Sequence, residues 1–287
     1  MLFHKNLQVA GSLDRKMLVD VCYEENQIHK PVIIYVHGFN GFKDWGNFDL
    51  IASEFVKAGF VFVKFNLSHN GTSIDAPEDF TDLDAYKQNT YSKELFDTNQ
   101  IIQWLYNPTN SFSAELDLQK IVLLGHSRGG GIVLVQTAED PRIKACITWA
   151  SVANYNAPWK NFSLEKLQTW KVQGYFNYEN KRTNQLMPIG YELYTDYLEN
   201  QERFNLKKAV QKIHVPLLIC HGTQDPAVSH TQAVQLHQWQ PNSTLFLLES
   251  DHVFGRKHPW NEHYLPQATQ SIIQESIRFL NNHLKAE

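Results

Sequence analysis

Ile121-Val122-Leu123-Leu124-Gly125-His126-Ser127-Arg128-Gly129-Gly130-Gly131 is the stretch on which the reading of the whole chain turns. Its four apolar residues, Ile121 to Leu124, predict a buried strand, and Gly129 to Ala138 continues as a mostly apolar helix. The turn between them is Gly125-His126-Ser127-Arg128-Gly129, a G-x-S-x-G nucleophile elbow. A serine there sits at the tip of a sharp turn with strained backbone, and the flanking glycines leave room for the neighbours that crowd in. The helix that follows aims free N–H groups and its positive dipole end at the same spot, which favours an oxyanion. Ser127 is therefore the candidate nucleophile.

Working outward, Pro31 opens the uninterrupted apolar run Val32 to Val36, as expected for a strand covered on both faces, and His37-Gly38-Phe39-Asn40-Gly41 ends it. Phe48, Ile51, Ala52 and Phe55 fall at helical spacing, Gly59 closes that helix, and Phe60 to Phe65 returns as a strand. Such a unit makes its strands parallel. Ahead of it, Leu7–Ala10 and Met17–Tyr23 predict an antiparallel pair at the sheet edge, split by Gly11-Ser12.

Tyr91 to Tyr106 reads as an amphipathic helix, and Arg142 to Trp149 continues the alternation. From Ser151 to 209 it stops: the stretch carries eleven Phe, Trp or Tyr residues and no strand signal, and predicts a mainly helical cap insertion. Val215–Cys220, Thr231–Trp239 and Thr244–Leu248 then resume as strand, helix and strand, and Ile273, Ile277, Leu280 and Leu284 stripe a closing helix. The expected architecture is an α/β, doubly wound, mostly parallel sheet formed by residues 1–150 and 210–287, interrupted once by the small cap.

With 43% hydrophobic and 20% charged residues, the 287-residue chain has ample material for a core. A net charge of −4 without a long Lys/Arg run argues against capture of nucleic acid or an anionic membrane and points to a small-molecule partner. The first twenty residues hold no signal-like apolar stretch, and no run reaches membrane-spanning length. Three cysteines, each within an apolar strand-like stretch, form no disulfide framework, and a cytoplasmic location is expected.

A serine hydroxyl is a weak nucleophile until a base takes its proton, and that base needs a carboxylate to fix its tautomer. In the order serine, acid, histidine, the acid follows the strand Leu217 to Cys220 and is Asp225. The base follows the last strand and is His252. His258 and His263 are the competing bases and Asp251 the competing acid. The oxyanion hole calls for two backbone N–H donors, which fall on Arg128 and Phe39. No H-E-x-x-H or clustered Cys/His spacing supports a metal, and the chemistry needs no cofactor.

Taken together, the His37-Gly38 turn, the Ser127 elbow, Asp225 and His252 resemble the α/β-hydrolase superfamily over essentially the whole chain. Within it, His37 to Asp44 is similar to the oxyanion loop of feruloyl or cinnamoyl esterases and of dienelactone hydrolase-like and serine aminopeptidase-like members. The resemblance implies a serine hydrolase that cleaves a carboxylic ester through an acyl-enzyme on Ser127. One departure stands out: relatives often carry Asp-x-x-Gly-x-Gly-x-Ser after the next strand, where this chain has Asn66-Leu67-Ser68-His69-Asn70-Gly71-Thr72-Ser73.

Substrate choice is expected in the insertion, where Trp149, Tyr155 and Trp159, with Trp170 and Tyr175, would line an apolar pocket or else form the cap's own core. A run of acids, Asp75, Glu78, Asp79, Asp82 and Asp84, would suit a peptide amino terminus and carries the alternative of an aminopeptidase or dipeptidyl-peptidase-like enzyme acting on a short peptide. A non-catalytic binding protein on the same fold is the third reading.

Overall fold

The computed structural model describes residues 1–284; residues 285–287, the end of the second core segment, lie outside the described residues. In chain order the elements are β1 (Leu2–Ala10), β2 (Lys16–Tyr23), β3 (Lys30–Val36), α1 (Phe48–Lys57), β4 (Val61–Phe65), α2 (Leu83–Lys87) and α3 (Tyr91–Leu105). They continue as β5 (Leu116–His126), α4 (Arg128–Glu139), β6 (Ile143–Trp149), α5 (Leu164–Gln173), β7 (Tyr175–Asn180), β8 (Gln185–Gly190), α6 (Glu192–Glu199) and α7 (Leu206–Gln211). The chain ends with β9 (Leu217–Gly222), α8 (Thr231–Trp239), β10 (Thr244–Leu248) and α9 (Gln267–Leu284).

Eight strands form one sheet in the order β1-β2-β4-β3-β5-β6-β9-β10. β1 and β2, and β2 and β4, pair antiparallel; every pairing from β4 to β10 is parallel. The period of two in a strand turns each continuous apolar run into two opposite faces. Val32, Ile34, Ile121 and Leu123 join the core beneath α3, α4 and α8, while Ile33, Tyr35, Val122 and Leu124 join the core beneath α1 and α9. Helices on both faces make this the doubly wound sheet that the alternation predicted.

The insertion departs from expectation. Besides α5 and α6 it contains an antiparallel hairpin, β7 paired with β8 from Tyr175↔Gly190 to Asn180↔Gln185. The missed signal is Tyr175-Phe176-Asn177-Tyr178, aromatic residues of high strand preference, followed by a turn that Asn184 completes with φ +54°. Nor is the insertion a separate core: Trp159, Trp170, Met187 and Leu193 pack in the same cluster as Tyr91 and Leu95 of α3.

Parallel strands direct the loops at their carboxyl ends to one edge. The loops after β3, β5, β9 and β10 all leave from the carboxyl ends of parallel strands, and the insertion leaves from the carboxyl end of β6, at the same edge of the sheet.

Candidate active site

Ser127 connects β5 to α4 with φ +55° and ψ −119°, a conformation that costs a non-glycine residue roughly 1–3 kcal/mol. Surrounding bonds hold it there: its N–H donates to Trp149 O at 2.9 Å, and its carbonyl accepts from Gly130 N at 3.0 Å. The two glycines are required by contact. A Cβ on Gly125 would lie 2.3 Å from Gly129 O, and one on Gly129 would lie 2.3 Å from Val36 O. Arg128 opens α4, so its N–H belongs to the first turn, where no intrahelical acceptor exists.

Asp225 lies in the turn after β9. Its Oδ1 accepts from the N–H groups of Ala227 and Val228, both at 2.8 Å. Its Oδ2 accepts from His252 Nδ1 at 2.7 Å and from His221 Nε2 at 3.1 Å. Burial opposes ionisation of this carboxyl. The bonds from His221, His252 and Val228 outweigh burial and hold it well below the usual carboxylate range. An ionised Asp225 places the proton of His252 on Nδ1 and leaves Nε2 as the basic nitrogen.

The loop after β3 is fixed from below. His37 Nε2 accepts from Leu67 N–H at 3.2 Å, so Nδ1 carries the proton and donates to Gly38 O at 2.9 Å. Burial, reinforced by the charge of Arg128, pushes His37 down to about 4 against the Gly38 bond, which keeps it neutral. Asn66 Oδ1 accepts from Lys43 N at 2.7 Å, and Asn70 Nδ2 donates to Gly41 O at 3.3 Å. The segment that lacks the relatives' aspartate therefore supports the loop through neutral amides.

Phe39 and Asn40 form the tip of that loop. Asn40 has φ +57°, and its Oδ1 accepts from Tyr86 OH at 2.6 Å and from Tyr178 OH of β7. The Phe39 ring packs against Tyr178 and Tyr86, with the Arg128 guanidinium 4.7 Å from its centre. Glu94 at the start of α3 pairs with Arg128 Nη2 at 2.6 Å. The far end of the loop is pinned by buried charges: Lys43 Nζ reaches Asp20 at 2.7 Å and Asp44 at 2.5 Å, and Lys64 Nζ reaches Asp20 at 3.0 Å and Asp49 at 2.7 Å. The three carboxylates converge, and two ammonium groups already sit among them.

Two cavities open on either side of Phe39. One, about 340 Å³, is bounded by Ser127, Tyr91, Val152, Tyr155, Phe176 and Ile189 among others. The other, about 230 Å³, is bounded by His252, His126, Trp45, Asn180, Arg182 and Arg256 among others.

The family model described as BD-FAE matches residues 19–240. The chain belongs to the BD-FAE family. A Mycoplasma genitalium protein described as an esterase/lipase is 28% identical over 219 residues, covering 68% of this chain and 72% of that one. Among solved structures, Est1E from Butyrivibrio proteoclasticus with ferulic acid bound has a TM-score of 0.70 at 16% identity, covering 96% of this chain and 98% of that one. The α/β-hydrolase GrgF from Penicillium sp. sh18 also gives 0.70 at 16% identity, covering 99% of both chains. At such identities the structural likeness establishes the α/β-hydrolase fold, and the BD-FAE membership places the chain among esterases.

In this BD-FAE chain the residues expected to choose the substrate separate. Tyr155 lines the larger cavity. Trp149 does not: it is fully buried on the α9 face, where Nε1 donates to Ser276 Oγ at 3.2 Å. The period of two at the end of β6 turns Trp149, like Ile147, away from the crevice. Trp159 is buried among Tyr91, Trp170, Tyr194 and Tyr197, in the insertion's packing. Trp170 shares that packing, and Tyr175 is exposed.

The competing residues have structural work. Asp251 Oδ1 accepts from Gly255 N at 2.8 Å, His258 Nδ1 accepts from Gly46 N at 3.2 Å, and His263 is exposed beside α9. None of the acids from Asp75 to Asp84 lines either cavity. Asp82 instead caps α2 and pairs with Arg15.

Sequence reasoning missed His221, His126, Tyr86, Tyr178 and Glu94. His221 had a signal, since it stands near the end of β9, four residues before Asp225. His126 Nε2 bonds the carbonyl of His252 at 2.9 Å, a contact between distant loops. Burial, with the charges of His252 and Arg256 adding, pushes His126 well below its ordinary value, so it binds there neutral.

Proposed function

We propose that this esterase-family chain hydrolyses carboxylic esters of aryl or other apolar acids through an acyl-enzyme on Ser127, with His252 and Asp225 completing the triad. The observation that carries the reading is the 2.7 Å bond from His252 Nδ1 to Asp225 Oδ2, together with a serine held at φ +55° at the carboxyl end of β5. Ser127 Oγ attacks the ester carbon and its proton passes to His252 Nε2. The C–O bond then breaks, and Nε2 gives the proton to the departing alkoxide. Water attacks the acyl-enzyme, its proton again goes to Nε2, and Ser127 Oγ recovers it as the acid leaves. The N–H groups of Phe39 and Arg128 hold the oxyanion in both halves.

The acyl group occupies the cavity beside Ser127, whose Tyr91, Val152, Tyr155, Phe176 and Ile189 suit an aromatic or branched apolar acid. The binding of ferulic acid by the similar Est1E favours the aromatic choice. The test is a panel of p-nitrophenyl esters of rising chain length, methyl ferulate and an aminoacyl p-nitroanilide. Turnover of the aromatic and medium-chain esters is expected. Cleavage of the anilide alone would transfer the site to peptide chemistry.

The brace on Asn40 gives a second expected result. Tyr178→Phe keeps the ring packing on Phe39 but removes one of the two hydroxyls bonded to Asn40, leaving the loop that presents the Phe39 N–H less fixed. A neutral hydrogen bond of this kind corresponds to roughly a three- to tenfold loss. It should appear in kcat on p-nitrophenyl acetate with KM little changed; a change in KM alone would place Tyr178 in substrate binding instead.

A further inference from the structure

We propose that the cavity beside His252 is a leaving-group subsite for an alcohol that carries a carboxylate, so that the preferred substrates are esters of hydroxy acids. The inference rests on the ester-hydrolase reading and specifies the half of the substrate that reading leaves open.

The direction of proton transfer assigns the two cavities. The acyl carbon becomes bonded to Ser127, whereas the alcohol oxygen must receive its proton from His252 and therefore leaves on the His252 side. Ser127 borders only the larger cavity and His252 only the smaller, with Phe39 between them. The acyl group and the alcohol are thereby given separate chambers.

Their electrostatics differ. On the acyl side the one guanidinium, that of Arg128, is matched by Glu94 at 2.6 Å. On the alcohol side Arg182 and Arg256 both contribute to the wall, and among the described residues no carboxylate does. Asp79 and Asp251 act on these two arginines from outside that wall.

Arg256 is the less usual of the pair. It is only 3% exposed, packed on Trp45 at 5.5 Å and Phe48 at 4.9 Å. Its Nε donates to Val253 O at 3.1 Å, while Nη1 has no hydrogen-bond partner among the described residues. Burial pushes it down to about 10, the mark of a cation short of a matching anion. Asn180, 6% exposed and in the same wall, has its Nδ2 unpartnered as well. A buried guanidinium, a second, exposed one and an unpartnered amide donor are an acceptor-poor set. The planar fork of arginine matches the two oxygens of a carboxylate.

The test compares two esters of one aryl acid, the first to lactate and the second to lactamide, which share shape and differ in charge. Wild-type kcat/KM is expected to favour the lactate ester by about tenfold or more, the effect of charge-assisted hydrogen bonds. The ratio should shrink as salt is raised and fall toward unity in Arg182→Gln, at an exposed position whose guanidinium lies over Phe42 and Phe80, with an unchanged thermal midpoint showing that this packing survives. Calorimetric binding of free lactate against lactamide reads the subsite without turnover and should lose its preference in the same variant. Equal turnover and equal binding of the charged and neutral forms would overturn the subsite, as would a preference indifferent to Arg182. Arginine-dependent lactate binding without turnover of any ester would leave the subsite standing and reject the ester reading.

Discussion

Ser127→Ala is expected to lower kcat for p-nitrophenyl esters by about 10⁶-fold, with the remainder supplied by the oxyanion donors and binding alone. The fold should survive, because alanine keeps the Cβ and the φ of +55° while losing only Oγ, and the Gly130, Val152 and Trp149 bonds to the turn use backbone atoms. Far-UV circular dichroism and the thermal midpoint should therefore match the wild type. Labelling by a fluorophosphonate should be lost at the same time. A variant that retained a hundredth of the activity, or still accepted the label, would remove Ser127 from the role of nucleophile.

Asp225→Asn is the next largest, at roughly 10⁴-fold in kcat. The amide can donate where the carboxylate could only accept, so it no longer dictates that Nδ1 of His252 carries the proton. The imidazolium formed during attack also loses its counter-charge. The loss should fall on kcat and on the rate of fluorophosphonate labelling alike, which a purely structural defect at a site distant from Ser127 would not produce.

The same substitution carries a pH signature. The folded-state carboxyl is depressed, so its contribution to stability is fully present above the ordinary aspartate value of about 3.9 and is lost as pH falls through the lower folded value. The amide has no such titration. Unfolding midpoints in urea should thus separate wild type from variant at neutral pH and converge in acid; a gap that stayed constant down to pH 2 would show that Asp225 is not held ionised by its bonds.

What could be read in the sequence was what the chain encodes locally. Ile121 to Gly131 announced strand, elbow and helix, because an apolar run, a serine between two glycines and a mostly apolar continuation each have a physical meaning within a few turns of chain. Given the order of serine, acid and histidine that the elbow motif implies, the alternation supplied the strand ends at which to look for the other two, since parallel strands send their carboxyl ends to one side. The hairpin β7–β8 was overlooked although its aromatic residues carried a strand preference, because the surrounding Asn and Lys masked the pattern.

The sequence by itself thus determined the sheet and the elbow, and singled out Ser127, Asp225 and His252 as the proposed triad, from local periodicity and turn chemistry. Tertiary structure decided which way side chains at element ends face and which distant groups meet. It turned Trp149 to the α9 face, gave Asp225 a second donor in His221, and joined Asn40 to Tyr178 across the crevice. It also formed one cavity with a matched arginine and another with two arginines and, among the described residues, no carboxylate in its wall. These features depend on packing between segments tens of residues apart, where burial and pairing are settled by the whole fold and leave no periodic trace in the chain.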